Sequence, residues 1–299
     1  MTISPLHHVA TPTLEIAYEV AGEPGGSPVI LLHGFPYDVR AFDAVTPLLA
    51  AEGAFVLAPY LRGFGATRFR DAATPRSGQQ AALGQDLLDF MDALGLARAT
   101  VAGYDWGGRA ACIVAALHPE RIAGLVSVDG YNVQDIAGSD EPAPPEQERS
   151  YWYQYYFHAE RGRRGLDQHR EELCALLWRT WSPEWAGADA AFPASAPSLH
   201  NPDFVEVVIH SYRHRYGLVA GDPRYQAIED LLAAQPPITV PTVVLESGAD
   251  GVGGPLDAAD REHFTGPYEH RLLPGIGHNV PQEAPEAFAG AIGGLLGEG

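Results

Sequence analysis

Cysteine is scarce in this 299-residue chain: there are two, Cys112 and Cys174. That is too few for a disulfide framework, and neither has a sequence neighbour suited to redox work. Charge is also sparse, at 19% of residues, and positive charge most of all. Nineteen Lys and Arg face 38 Asp and Glu, for a formal net charge of -19. A chain so acidic is repelled by nucleic acid and by anionic membranes, which excludes both as partners. No apolar run approaches the ~18 residues of a membrane helix. The N-terminal stretch MTISPLHHVATPT lacks the basic and apolar regions of a signal peptide. A reduced, cytoplasmic protein is expected. The hydrophobic fraction of 46% excludes a wholly disordered chain.

Short β-rich runs alternate with helical patterns in the first part. Val29–Leu32, Phe55–Leu57, Thr100–Ala102 and Leu125–Val128 are apolar runs of the kind found in buried parallel strands. Leu83, Leu87, Phe90 and Leu94 recur at helical spacing between them. The alternation predicts a mostly parallel sheet with helices on both faces. It breaks at the Pro-rich stretch 137–150, and the aromatic-rich residues that follow look helical throughout. Asn201-Pro202-Asp203 reads as a helix start, with Asn as N-cap and Pro at the first helical position. The β pattern resumes at Val240–Leu245, and a last helix has Phe288, Ile292, Leu295 and Leu296 on one face. The expected organisation is a core α/β domain, 1–136 and 235–299, split by a helical cap at 137–234.

Four features fall at the carboxyl ends of predicted strands, where open α/β sheets place their sites. They are His33-Gly34-Phe35-Pro36, Gly103-Tyr104-Asp105-Trp106-Gly107, Asp250 and His278. The second has the outline of a nucleophile elbow, with aspartate where serine is commoner. The chain order of nucleophile, acid and histidine is that of an α/β-hydrolase triad. A lone G-x-D-x-G carries little information; the four together are specific.

HGFP at 33–36, RGFG at 62–65, GYDWGG at 103–108 and HPERI at 118–122 resemble the Asp-nucleophile branch of the α/β-hydrolases. That branch includes epoxide hydrolases and hydrolytic dehalogenases. The resemblance implies an α/β-hydrolase fold with an inserted cap, no cofactor and no metal. An aspartate nucleophile also makes chemical sense. A serine attacking saturated carbon would form an ether that a triad cannot cleave. A carboxylate is ionised at neutral pH and forms an ester that water can hydrolyse. Asp105 is therefore expected to attack sp³ carbon, with His278 activating water and Asp250 orienting the imidazole. Asp129, which also follows a core strand, is the alternative orienting acid. The backbone N–H groups of Phe35 and Trp106 would form an oxyanion hole, and Pro36 is expected to follow a cis bond.

The cap should distinguish the leaving group. Trp152-Tyr153-Gln154-Tyr155-Tyr156-Phe157 resembles the stretch carrying the first ring-opening tyrosine of epoxide hydrolases. Ser211-Tyr212-Arg213 resembles the second such site. Phe204, Val208 and Tyr212 also share a helical face, which turns Tyr212 inward. The plainer reading is an aromatic stripe that lines an apolar pocket. His33, Pro36, Trp106, Gln154 and Tyr155 are the expected substrate contacts. Haloalkane enzymes resemble the chain at Trp106 and haloacetate enzymes at Arg109. The latter carry a second arginine directly after the nucleophile, where Trp106 stands here, so Arg109 is expected in a structural ion pair. The arginines at 161, 163, 164 and 170 read as a solvated face, and His210 with His214 has no third metal ligand. The leading expectation is an epoxide hydrolase acting on a small, largely apolar epoxide, with a homodimer as candidate assembly. A hydrolytic dehalogenase is the first alternative and a non-catalytic binding protein the second.

Overall fold

The computed structural model describes residues 6–256 and 258–296. Nine strands make one sheet: β1 (His7–Ala10), β2 (Leu14–Ala21), β3 (Ser27–Leu32), β4 (Ala54–Pro59), β5 (Arg68–Phe69), β6 (Ala99–Gly103), β7 (Ile122–Val128), β8 (Thr242–Ser247) and β9 (Tyr268–Leu273). Their spatial order is β1-β2-β4-β3-β6-β7-β8-β9, with β5 beside β2. Pairing is parallel from β4 to β9 and antiparallel around β2. The expected central strands are all present; the antiparallel edge formed by β1, β2 and β5 was not read from the sequence. Strand β8 begins at Thr242 and not at Val240, because Pro241 has no N–H to give and contributes only its carbonyl, to Leu125.

Every residue of β6 is buried, as the continuous apolar runs require of a strand covered on both faces. Helices Gln80–Ala93 and Asp105–Leu117 pack together on one face, and Val45–Ala51 packs with Pro285–Leu296 on the other. Leu83, Leu87 and Phe90 are buried, while Leu94 is the half-buried C-cap. Phe288 and Ile292 are buried, with Leu295 and Leu296 partly covered beside them.

Arg62, 1% exposed, fastens the loop after β4. It donates twice to Asp86, at 2.6 and 2.7 Å, and to the carbonyls of Ser77 and Ala82.

The regular structure between β7 and β8 is entirely helical: Pro145–Ser150, Trp152–His158, Glu160–Gln168, Arg170–Trp181, Ala188–Ser195, Phe204–His214 and Gln226–Leu232, with short 3₁₀ turns. The Asn201 expectation needs correction. The helix starts at Phe204, and Asn201 instead closes a turn in which its Oδ1 accepts the Asp203 N–H at 2.8 Å. Its amide donates to the carbonyls of Phe64, Gly65 and Thr67, which ties this segment to the core. Asp38 makes a second tie, accepting from Ser195 Oγ at 2.6 Å and from Ser198 Oγ. No helix among the described residues is long and apolar enough to cross a membrane.

Candidate active site

Strand β6 ends at Gly103 and the next helix begins at Asp105, so the chain must reverse within two residues. Asp105 takes a φ of 50°, the left-handed region that side chains other than glycine rarely occupy. The turn is possible because its neighbours have no side chain. A Cβ on Gly107 would lie 2.1 Å from the Leu32 carbonyl oxygen, and one on Gly34 would lie 2.5 Å from Asp105 Cβ. The Phe35 N–H donates to Asp105 Oδ1 at 2.7 Å, and the Phe35–Pro36 bond is cis. The N–H of Trp106, in the first helical turn, has no intrahelical acceptor.

His278 follows β9, and its Nε2 lies 3.7 Å from Asp105 Oδ2. That is beyond hydrogen-bond reach, and this buried nitrogen has no hydrogen-bond partner among the described residues. Its Nδ1 is 3.0 Å from Asp250 Oδ2, while Asp250 Oδ1 accepts the Val252 N–H at 2.9 Å. The carbonyl of Trp181, at the end of its helix, accepts the N–H groups of both His278 (3.2 Å) and Gly251 (2.9 Å). Burial alone would depress the imidazole. The Asp250 and Asp105 charges outweigh it and hold His278 well above its ordinary value. Burial likewise raises Asp105, but His278, Arg109 and the Phe35 N–H bring it below the usual carboxylate range.

Asp129 lies nearby with a φ of 55°. Its two oxygens accept from the N–H and Oγ of Ser247, at 2.7 and 3.0 Å, and burial together with the Asp250 charge pushes it up. The hydrogen bond to His278 Nδ1 therefore belongs to Asp250. Donor atoms of Asp129, Asp250 and His278 lie within 4.8 Å of one another. They are already committed to each other and to Ser247, so the set reads as a hydrogen-bonded network and not as open metal ligands.

A carboxylate on a tight strand-to-helix turn, facing a histidine that is itself bonded to a second acid, follows the α/β-hydrolase plan. A model of the alpha/beta hydrolase fold matches residues 27–279. The chain belongs to the α/β-hydrolase family. It is 28% identical to epoxide hydrolase A of Mycobacterium tuberculosis, over 91% of each chain. It is 37% identical to a haloalkane dehalogenase of Mycobacterium marinum, over 40% of each. The crystal structure of a presumptive epoxide hydrolase from Klebsiella pneumoniae superposes with a TM-score of 0.95, at 46% identity and over 97% of each chain.

In this α/β-hydrolase, Asp105, Asp250 and His278 open onto a cavity of about 680 Å³ whose wall also includes Tyr153, Gln154 and Tyr155. Tyr153 Oη accepts the Gln154 amide at 3.0 Å, and the Gln154 carbonyl oxygen accepts from Tyr216 at 3.2 Å. Tyr212 is fully buried, its ring edge-on to Tyr153 (centroids 5.3 Å apart) and packed on Phe35 and Trp106. Burial holds both phenols above their ordinary value, so both keep their protons. Tyr155 is at the rim, 38% exposed, with its hydroxyl on Glu148.

Other expected contacts lie elsewhere. His33 Nε2 accepts the Leu61 N–H at 3.1 Å, which leaves Nδ1 as the donor to the Gly34 carbonyl. Burial pushes this ring down to about 4, so it is a neutral structural histidine off the cavity wall. Pro36 is also off the wall, its carbonyl accepting from Trp178 Nε1 at 3.0 Å. The Trp106 indole is buried against Phe35, and its Nε1 has no acceptor among the described residues. Arg109 makes no ion pair among the described residues and instead lines the cavity. The wall is more polar than the aromatic content of the sequence suggested, carrying Asn132, Gln134, Arg109 and Arg215. Arg215, Trp181 and Tyr216 were not singled out in the sequence. Only Arg215 had a signal there, one helical turn beyond Tyr212.

Proposed function

We propose that this α/β-hydrolase converts an epoxide to a vicinal diol through an alkyl ester on Asp105, in a cytoplasmic setting. The observation that carries the reading is the division of labour at one carboxylate: Oδ1 is held by the Phe35 N–H and Oδ2 faces His278. Oδ2 forms the bond to a ring carbon as the ring C–O bond breaks. The departing oxygen takes a proton from Tyr153 or Tyr212. Oδ1 becomes the ester carbonyl oxygen, next to the Phe35 and Trp106 N–H groups that would stabilise an oxyanion.

Alkylation also readies the base. It removes the Asp105 charge, one of the two carboxylates that hold the His278 proton. The imidazole then loses its proton to solvent more readily and can take one from water. Hydroxide attacks the Asp105 carbonyl carbon, the acyl C–O bond breaks, the diol leaves with the proton from His278, and the new Asp105 carboxyl passes its proton to the imidazole. Solvent returns a proton to the tyrosine. In this reading residues 137–234 act as a cap over a core made of 1–136 and 235–299.

The dehalogenase reading has one specific observation in its favour. The indole Nε1 groups of Trp106 and Trp181 are buried around Phe35 without acceptors among the described residues, as a departing halide would require. Intact-protein mass spectrometry of His278→Ala decides between the two, because this variant can alkylate but cannot hydrolyse. Addition of the whole mass of an epoxide at Asp105 supports ring opening. Addition of a haloalkane or haloacid less hydrogen halide, with no epoxide adduct, rejects it.

A further inference from the structure

The cavity wall holds two guanidinium groups that the catalytic scheme does not use. Arg109 is 7% exposed and makes no hydrogen bond or ion pair among the described residues. Arg215, at the end of the helix Phe204–His214, makes one hydrogen bond among the described residues, from Nη2 to Ser211 Oγ at 3.3 Å. The Nε of each is buried without an acceptor. Arg215 lies over the Tyr212 ring, 4.1 Å from its centroid. Burial and the adjacent Arg215 push Arg109 down to about 10, which still leaves it charged at neutral pH.

This arrangement is costly and needs a reason. Acidic groups outnumber basic ones two to one in the chain, 38 to 19, so carboxylate partners were plentiful. Yet two like charges sit on one wall, Arg109 buried and Arg215 half-buried, each with an unmet Nε donor and neither hydrogen-bonded to a carboxylate among the described residues, although a buried charge ordinarily requires a partner. An anionic ligand would supply it. A planar guanidinium fork suits a carboxylate, and two forks from different elements fix its orientation. The position follows from the helix: Asp105 and Arg109 are one turn apart on a shared face, about 5–6 Å between Cβ atoms. The anionic group must therefore be close to the carbon that Asp105 attacks.

We propose that Arg109 and Arg215 bind the carboxylate of an α,β-epoxy acid whose ring opens at Asp105. This rests on the epoxide-opening reading and adds the substrate class. Arg109 is joined here by a second arginine from the helical segment, not by a residue directly after the nucleophile.

The test compares 3-phenylglycidate with its neutral amide, 3-phenylglycidamide, as substrates. The acid should have a kcat/KM on the order of 100-fold higher, the scale of a desolvated charge pair. That ratio should fall below about tenfold in Arg109→Met and in Arg215→Met, with Arg215→Lys between the two. Arg215→Lys keeps the charge and serves if either Met variant does not fold. Titration calorimetry with 2,3-dihydroxy-3-phenylpropanoate and its amide gives a readout independent of ring opening. Equal kcat/KM and equal affinity for acid and amide, with both epoxides opened, overturns the anion site and leaves the epoxide reading intact. Tighter binding of the acid that depends on both arginines, with no epoxide opened, supports the anion site and overturns the epoxide reading.

Discussion

His278 touches the two acids beside it unequally, 3.0 Å from Asp250 and 3.7 Å from Asp105. The closer one is a standing hydrogen bond. The longer one is a charge contact that an ester at Asp105 would abolish. Asp250→Asn should therefore leave Asp105 able to react but slow hydrolysis of the ester by on the order of 10³–10⁴-fold, as when a triad acid becomes an amide. Asp129→Asn should slow it by less than about tenfold, because the oxygens of Asp129 are spent on Ser247. Single-turnover measurement of ester decay in the two variants checks both, and the reverse ranking would move the orienting role to Asp129.

Ring opening and halide departure make opposite demands on the phenols. If an alkoxide leaves, Tyr153→Phe and Tyr212→Phe should each slow ester formation, within the 10²–10⁴-fold range of general acid catalysis when both are lost. A halide needs no proton, so under that chemistry the same variants would alkylate at nearly the unmodified rate. Stopped-flow tryptophan fluorescence is a suitable monitor, because Trp106 lies against the Tyr212 ring and Trp181 against the Tyr153 ring.

Asp38 should give the protein an unusual response to acid. Burial pushes its carboxyl up to about 6 in spite of the Ser195 and Ser198 hydroxyls. A raised carboxylate binds more protons folded than unfolded between about 4 and 6. Its contribution to stability therefore grows as pH falls through that window, by about 3 kcal/mol in all. Asp38→Asn should remove this gain. Urea unfolding at pH 7.5 and 4.5 should then show the variant losing more stability on acidification than the parent does.

Arg62 and Asp86 are the buried pair whose separation should be felt across the fold. Asp86→Asn leaves the guanidinium charge without its counter-ion, with an expected cost of about 3–5 kcal/mol. The outcome is a lower urea midpoint at unchanged slope. Loss below about 1 kcal/mol would mean that the Ser77 and Ala82 carbonyls and Tyr225 suffice for Arg62.

Asp105, Asp250 and His278 were legible because chain order and strand ends constrain them before any side chain is placed. The central strands were legible for a similar reason, since a strand buried on both faces has little freedom in composition. His33 was misread because the HGFP pattern gives the position of the residue but not the direction of the ring. Asn201 was misread by two residues. A helix-start signature cannot reveal that the amide is already satisfied by Phe64, Gly65 and Thr67. Arg215 could be related to Arg109 only by folding, because no local pattern links the end of one helix to the second turn of another.

The Trp181 carbonyl accepts from both His278 and Gly251, so one oxygen ties the imidazole and the loop after Asp250 to the end of the helix Arg170–Trp181. On this side that helix and the imidazole form a single mechanical piece. Any hinge that lifted the helix here would tilt the imidazole away from Asp105 before a ligand could pass. Motions that admit or release molecules are then left to the rim near Tyr155 and Tyr216, where they leave the His278–Asp105 distance unchanged.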